Sequence, residues 1–304
     1  MKYNFPNNFK SKVNYNYNLS KSTWFQTNCT TNIYCHAYNN EDLKLILSQT
    51  PSDIPVFIIG VGSNLLIRDG GFEGLIIKLG KEFGKFELNN DKILVGPSVL
   101  DKTLSKFALN KSIKNLEFYS GIPGTIGGAI KMNAGCYGSE TKDVVIGATI
   151  IDRLGNEKFF SKKDLNFNYR SSAIRDNDVI KEVMIDAKIG IFRDIKLKMD
   201  EIIKKRESSQ PLLTKTGGST FKNPKGFFAA KLIEESDCKG MTVGDAIVST
   251  KHANFLINQN KASAKDIETL GERIREKVYK KFNILLEWEI KIIGKKWNKW
   301  RKRK

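Results

Sequence analysis

The chain has 304 residues, with 51 Lys+Arg against 33 Asp+Glu and a formal net charge of +18; at roughly 100–200 residues per domain it should hold two or three domains. A content of 40% hydrophobic and 10% aromatic residues excludes a disordered chain. The mean hydropathy of −0.37, with no apolar run near ~18 residues, excludes a helical membrane span, and the first 22 residues have no apolar core of a secretory signal.

Residues 1–22 are polar, rich in Asn and Lys, and predict a loosely packed arm. Leu43, Ile46 and Leu47 share one face of a helix predicted over Glu41 to Ser48. Val56 to Ile59 is a β-branched and aromatic run ending in glycine, which reads as a buried strand, and Gly74 to Leu79 reads as another. Phe86–Leu88 and Ile93–Val95, separated by Asn89-Asn90-Asp91, predict a hairpin. A helix is predicted over Asp101 to Leu109 with Asp101 as its cap. Val144–Asp152 and Glu157–Phe160 predict a second hairpin, and Val179–Ile189 a strand. Asp194 to Glu207 reads as a basic amphipathic helix broken before Pro211, where the main boundary is placed. Ser263-x-x-Asp266 resembles a capping box ahead of Ile267, Leu270, Ile274 and Val278 at helical spacing. Leu286, Trp288, Ile290 and Ile292 alternate with charged residues as a strand would. Strands outnumber helices and do not alternate with them regularly, so the fold class is α+β.

Two stretches are dense in glycine. Gly60-Val61-Gly62-Ser63-Asn64-Leu65 follows a strand, but Leu65 stands at the third glycine of a dinucleotide fingerprint. A ribose-binding acidic residue is missing after the next strand, and the chain has no phosphate-binding G-x-x-x-x-G-K-[ST]. What remains is a tight turn with main-chain N–H groups that suits an anion such as a diphosphate, or a plain strand-to-strand turn. The second stretch is Gly121-Ile122-Pro123-Gly124-Thr125-Ile126-Gly127-Gly128-Ala129, followed by Asn133-Ala134-Gly135. So much glycine costs chain entropy, which is tolerated where φ is positive, where turns are crowded, or where a ligand approaches the main chain. Two such loops suggest a large, flat, phosphate-bearing cofactor. The four cysteines, Cys29, Cys35, Cys136 and Cys238, have no paired metal spacing and read as reduced thiols, and with only two histidines no metal site is expected.

These segments resemble the UDP-N-acetylenolpyruvoylglucosamine reductase (UDP-N-acetylmuramate dehydrogenase) family, in its shorter subtype. The resemblance continues through Asn168-Tyr169-Arg170-Ser171-Ser172, Thr216-Gly217-Gly218-Ser219-Thr220-Phe221-Lys222-Asn223-Pro224, Ser249-Thr250-Lys251-His252-Ala253-Asn254-Phe255 and Leu286-Glu287-Trp288-Glu289-Ile290-Lys291. It covers roughly residues 20–294 in collinear order. It implies a two-subdomain FAD-binding module of the vanillyl-alcohol-oxidase type, followed by a C-terminal α+β substrate-binding domain. The corresponding domains would be an arm over 1–22, FAD binding over 23–195, substrate binding over 196–294 and a basic tail over 295–304. It implies non-covalent FAD, NADPH as co-substrate, and reduction of an enolpyruvyl ether in cytoplasmic peptidoglycan precursor synthesis, by a monomer without nucleic-acid or membrane partners.

By resemblance, Ser219 is the proton donor, Arg170 grips the substrate carboxylate and Glu289 helps to stabilise the enol; pattern alone does not separate Glu289 from Glu287. Tyr169, Lys222 and Asn223 are implied substrate contacts, with Lys222 a candidate to assist the serine. His252 reads equally well as a structural histidine. The FAD contacts implied are Gly60 to Leu65, Gly121 to Thr125, Gly127, Gly128, Ala129, Asn133 and Gly135. One departure is local: Asn28-Cys29 stands where the family usually has Gly-Gly, and cysteine tolerates positive φ poorly. Another flavin oxidoreductase of the same module is the alternative reading, and a nucleic-acid-binding protein is a remote one. Seven of the basic residues lie in Lys295–Lys304, and the ligands implied are polyanions that a basic surface helps to gather.

Overall fold

A computed structural model describes residues 3–296. The chain forms two compact units, each discontinuous in sequence. Within the described residues, the first comprises 3–14, 33–60 and 74–206, and the second 15–32, 61–73 and 207–296.

The first unit has two hydrophobic cores. One fills around the helix Asn40–Gln49, where Leu43, Ile46 and Leu47 bury against Ile33, Cys35, Val56, Leu75 and Ile77. Asn39 starts this helix by accepting a hydrogen bond from Asp42 N at 2.8 Å. Its strands belong to a sheet ordered Lys12–Asn18, Thr30–Ala37, Phe72–Leu79, Val56–Ile59, the last two parallel. The segment expected as a loose arm therefore supplies an edge strand. Ahead of it, Tyr3, Phe5 and Phe9 stack in series and pack on this core. Polar Asn and Lys at alternate positions hid a strand that needs only one apolar face.

The second core lies under a five-stranded antiparallel sheet ordered Glu157–Ser161, Val145–Ile151, Val179–Asp186, Lys92–Val95, Phe86–Asn89. Ile93, Val95, Val183 and Ile185 meet Leu104 and Ala108 of the helix Asp101–Asn110 and Ile126 and Ile130 of the short helix Ile126–Lys131. Both expected hairpins form. The helix at 101 does not start as expected: Leu100 is the cap, and the Asp101 side chain makes no capping bond. The expected basic amphipathic helix runs over Phe192–Ser209 and buries Ile195, Met199 and Ile202.

The second unit has one core, built on the antiparallel sheet Lys215–Ser219, Phe255–Asn258, Ala246–Val248, Thr242–Val243 and the helix Ala264–Phe282. That helix is capped as read: Ser263 and Asp266 form a reciprocal capping box, and Ile267, Leu270, Ile274 and Val278 are fully buried. Asp69 adds both carboxylate oxygens, accepting from Ala264 N at 2.8 Å and Lys265 N at 2.9 Å. Asn283, at φ 55°, ends it. The expected strand at Leu286–Ile292 pairs as a strand only over Lys291–Ile293, parallel to Leu65–Ile67. Upstream, its main chain is engaged by Phe221 and its neighbours instead, through a single bridge at Trp288. The burial alternation still holds, since Leu286 and Ile290 are buried and Glu287 is exposed. The basic tail is described only for Lys295 and Lys296; residues 297–304 lie outside the described residues.

Candidate active site

In the second unit, glycine chemistry puts Ser219 on display. The strand Lys215–Ser219 pairs with Phe255–Asn258, but its register slips between Thr216 and Ser219. The slip is a bulge made by Gly217 and Gly218, the latter at φ +77°. A Cβ on Gly217 would lie 2.4 Å from the Phe25 ring, so packing requires glycine there. A Cβ on Gly218 would meet only Ser63 O, at 3.9 Å, so the strand is open on that side.

The residues that follow are tied down by main-chain bonds. Thr220 N donates to Asn254 O at 2.8 Å, and Thr220 O accepts from Glu289 N at 2.8 Å. Asn64 Nδ2 donates to Glu289 O at 3.1 Å, and Lys291 N donates to Asn64 O at 3.1 Å. The serine, the glutamate and the Ser63-Asn64 turn are thus neighbours through a few hydrogen bonds, although about 70 and 155 residues of sequence separate them. The buried Asn254 side chain exchanges two bonds with Phe221, accepting at 2.9 Å and donating at 2.8 Å. It is a brace for the serine strand, a role that sequence reasoning left vague and that Thr220, passed over entirely, shares. The Thr220 hydroxyl is itself buried without a hydrogen-bond partner.

Other implied contacts have protein partners. Lys222 Nζ lies 3.4 Å from Glu287 Oε2, and Lys222 N donates to Glu287 O at 2.9 Å. Asn223 Oδ1 accepts from Ala229 N at 2.9 Å and so holds the helix Ala229–Glu235. His252 is half-buried, edge-on to Phe255, and its Nδ1 accepts from Asn254 N at 3.3 Å; burial lowers its pKa. The Asn28-Cys29 departure causes no strain, because positive φ falls on Gln26, at 52°. Gly62 is needed on packing grounds, since a Cβ there would lie 2.2 Å from Ser22 O. A separate open pocket of about 600 Å³, lined in part by Gln26, Asn28, Asp69 and Lys265, contains none of the implied site residues.

Arg170 belongs to the first unit. Asn168 and Ser171 bond to each other in both directions, making Tyr169-Arg170 the tip of a tight turn with Arg170 at φ 55°. A bulky residue with positive φ is uncommon and strained, a feature that gathers at functional sites. The guanidinium lies over the Tyr169 ring, 5.1 Å from its centroid, and donates to Gly135 O at 3.0 Å. Asn133, at φ 45° and fully buried, donates to Glu140 Oε2 at 3.1 Å and to Asn168 O at 3.0 Å, while its Oδ1 accepts from Lys142 N. Its amide is spent on holding the arginine turn.

The Gly121–Ala129 run is laced to the segment before the helix Asp101–Asn110. Ile126 N donates to Val99 O and Gly127 N to Pro97 O, both at 2.9 Å. A Cβ on Gly121 would meet Cys136 Sγ at 2.9 Å, one on Gly124 Asp101 Oδ2 at 2.6 Å, and one on Gly127 Pro97 at 3.0 Å. Gly60 is confined in the same way, 2.8 Å from Thr125 Oγ1. Gly128 alone in the run is exposed with no close neighbour. Two buried polar groups lie here, the Ser120 hydroxyl, which has no hydrogen-bond partner, and the Asp101 carboxyl, which faces the Gly124 amide. Cys29, Cys35, Cys136 and Cys238 are all free thiols. Among the described residues no His/Cys/Asp/Glu group could hold a metal ion, and no helix is long and apolar enough to cross a membrane.

Comparison with known proteins accounts for both units. Residues 32–159 match an FAD-binding domain, a segment holding Gly60–Leu65 and Gly121–Gly135. Residues 210–293 match the C-terminal domain of UDP-N-acetylenolpyruvoylglucosamine reductase, a segment holding Ser219 and Glu289. The reductase of Parvibaculum lavamentivorans is 43% identical over 276 residues, covering 91% of this chain and 89% of its own. That of Rickettsia peacockii is 42% identical over 286 residues, covering 94% and 97%. The crystal structure of the Thermus caldophilus reductase superposes with a TM-score of 0.81 at 30% identity, covering 93% of this chain and 98% of that one. Two matched domains in order, and relatives similar along nearly their whole length, place this chain in the UDP-N-acetylenolpyruvoylglucosamine reductase family, as an FAD-dependent enzyme.

Proposed function

We propose that the protein reduces the enolpyruvyl group of UDP-N-acetylglucosamine enolpyruvate to UDP-N-acetylmuramate with NADPH, as a monomeric cytoplasmic enzyme of peptidoglycan precursor synthesis. The observation that carries the reading is the presentation of Ser219 on a glycine bulge, with Glu289 fixed beside it by the Thr220 main chain. FAD, when bound, supplies hydride to the vinyl carbon distal to the ether oxygen.

The chain's own residues handle the charge and the proton. Hydride addition leaves an enol(ate) conjugated with the substrate carboxylate. Arg170 receives that carboxylate, because a guanidinium donates two parallel hydrogen bonds to a planar acid. The Tyr169 ring and Gly135 O preset its orientation. Glu289 steadies the enol together with Arg170. Ser219 then delivers its hydroxyl proton to the carbon next to the carboxylate. Lys222, paired with Glu287, contributes positive charge to the substrate side, and Asn223 and Tyr169 line it. The main chain at Gly60–Leu65 and at Gly121–Gly135 holds the cofactor, and Gly128 is the position where a ligand meets no side chain. Residues 23–195 serve the cofactor and also supply Tyr169 and Arg170 to the substrate, which 196–294 otherwise serves.

The test is direct. The purified protein should carry FAD or bind it when added, and should oxidise NADPH in step with UDP-N-acetylglucosamine enolpyruvate. Rapid oxygen-dependent flavin reoxidation without use of that substrate would instead indicate an oxidase of the same module.

A further inference from the structure

Asp101 opens a helix without capping it and has no role in the chemistry above. It is fully buried, and the donor that faces its carboxyl is the Gly124 main-chain amide, with no cation beside it among the described residues. Its Oδ2 fills the space where a Gly124 side chain would start, and Asp101 N donates to Gly124 O at 3.2 Å. The carboxyl thus lies flat against the main chain of the glycine turn, with the orphaned Ser120 hydroxyl four residues before that glycine. Burial of a lone carboxyl strongly disfavours its charged form and raises its pKa well above the usual range; the Gly124 amide opposes this only in part.

The groups around it do not neutralise a carboxylate. Tyr119 bonds to Thr141 at 3.3 Å and the Cys136 thiol to Phe118 O at 3.2 Å; burial keeps both neutral, and Asp101 adds to the rise of each. Arg170 and Arg206 act on Cys136, and Glu117 faces Lys198 at 3.7 Å.

We propose that Asp101 is a positioning residue for the flavin nucleotide: as a neutral acid it supports the Gly121–Thr125 turn from behind, and when ionised it opposes the negatively charged cofactor. The inference rests on the reading that this turn holds FAD. The anionic cofactor and a proton then bind together, because a carboxylate behind the turn repels a negatively charged ligand held by it. One linked proton limits the effect to about tenfold in affinity per pH unit.

The experiment is an FAD titration of the stripped protein by flavin fluorescence at constant salt, from about pH 6 to about pH 10, on the wild type and on Asp101→Asn. The wild-type dissociation constant should climb toward that limiting slope on the alkaline side, and the variant should lack the climb. Infrared difference spectra, wild type minus variant, should show a protonated carboxyl band at neutral pH that fades as the affinity for FAD falls. Parallel pH profiles, a flat wild-type profile, or no acid band at neutral pH each overturn the proposal. The wild-type profile and band stand even if the variant folds poorly. Gly128→Phe separates this from the underlying reading. If it binds FAD normally, the turn is not the cofactor site; if it loses FAD while the two pH profiles stay parallel, only the Asp101 proposal fails.

Discussion

The glycine-dense stretch Gly121–Gly128 in the first unit and the pair Gly217-Gly218 in the second differ in what their glycines do. In the first unit, Gly121, Gly124 and Gly127 are required because Cys136, Asp101 and Pro97 already occupy the space of a Cβ, and only Gly128 is open. In the second, Gly217 is closed by Phe25 while Gly218 next to it is open and left-handed. Glycine density therefore reports crowded main chain first, and a ligand only where the missing side chain leaves space. Each of the two combines at least one closed glycine that fixes its shape with one open glycine where something else can approach.

Alanine substitutions test that division. Gly217→Ala should do the most damage, about 3 kcal/mol by chemical denaturation, because Phe25 is fully buried and has nowhere to move. A loss below half of that would show the bulge to be looser than described. Gly124→Ala should cost about 2 kcal/mol by pushing into the buried Asp101 carboxyl. Gly218→Ala should cost about 1–2 kcal/mol for its left-handed backbone alone, since space is available. Gly128→Ala should reverse the sign and stabilise the cofactor-free protein by about 0.5–1 kcal/mol, being an exposed helical position with room for a methyl. Equal losses at Gly124 and Gly128 would erase the distinction between closed and open glycines.

The smallest effect lies away from both runs. Glu157 accepts from Lys181, Lys44 and Asn40, and these bonds hold its carboxyl down at about 2. A depressed carboxylate stabilises the fold above its unfolded pKa and loses that contribution as pH falls from about 4.5 to about 2. The site is largely solvated, so Glu157→Gln should shift stability at neutral pH by only ~0.2–1 kcal/mol and by nothing below about pH 2. A difference that persists in strong acid would point to packing.

Much of this was legible from residue order. Periodicity located the helix from Ala264, and its capping box was readable as Ser263-x-x-Asp266. Collinear motifs singled out Ser219, Arg170 and Glu289. What the sequence withheld depends on distant neighbours. Asp101 has the chemistry of a cap, and only the placement of Gly124 shows that its side chain is turned inward. Alternation at Leu286–Ile290 gave the burial correctly but not the pairing, because the partner, Phe221, makes a single bridge. The positive φ expected near Asn28-Cys29 falls on Gln26, where sequence gave no signal. Asn133, an implied cofactor contact, holds Asn168 and through it the arginine turn, a link across 35 residues.

The central claim, that Ser219 supplies the proton and the flavin the hydride, is tested most directly by anaerobic stopped-flow measurement of the two half-reactions of Ser219→Ala. The account expects flavin reduction by NADPH at the wild-type rate, and reoxidation by the enolpyruvyl substrate slowed by roughly 10²–10⁴. Equal slowing of both half-reactions, or reoxidation at the wild-type rate, would contradict it.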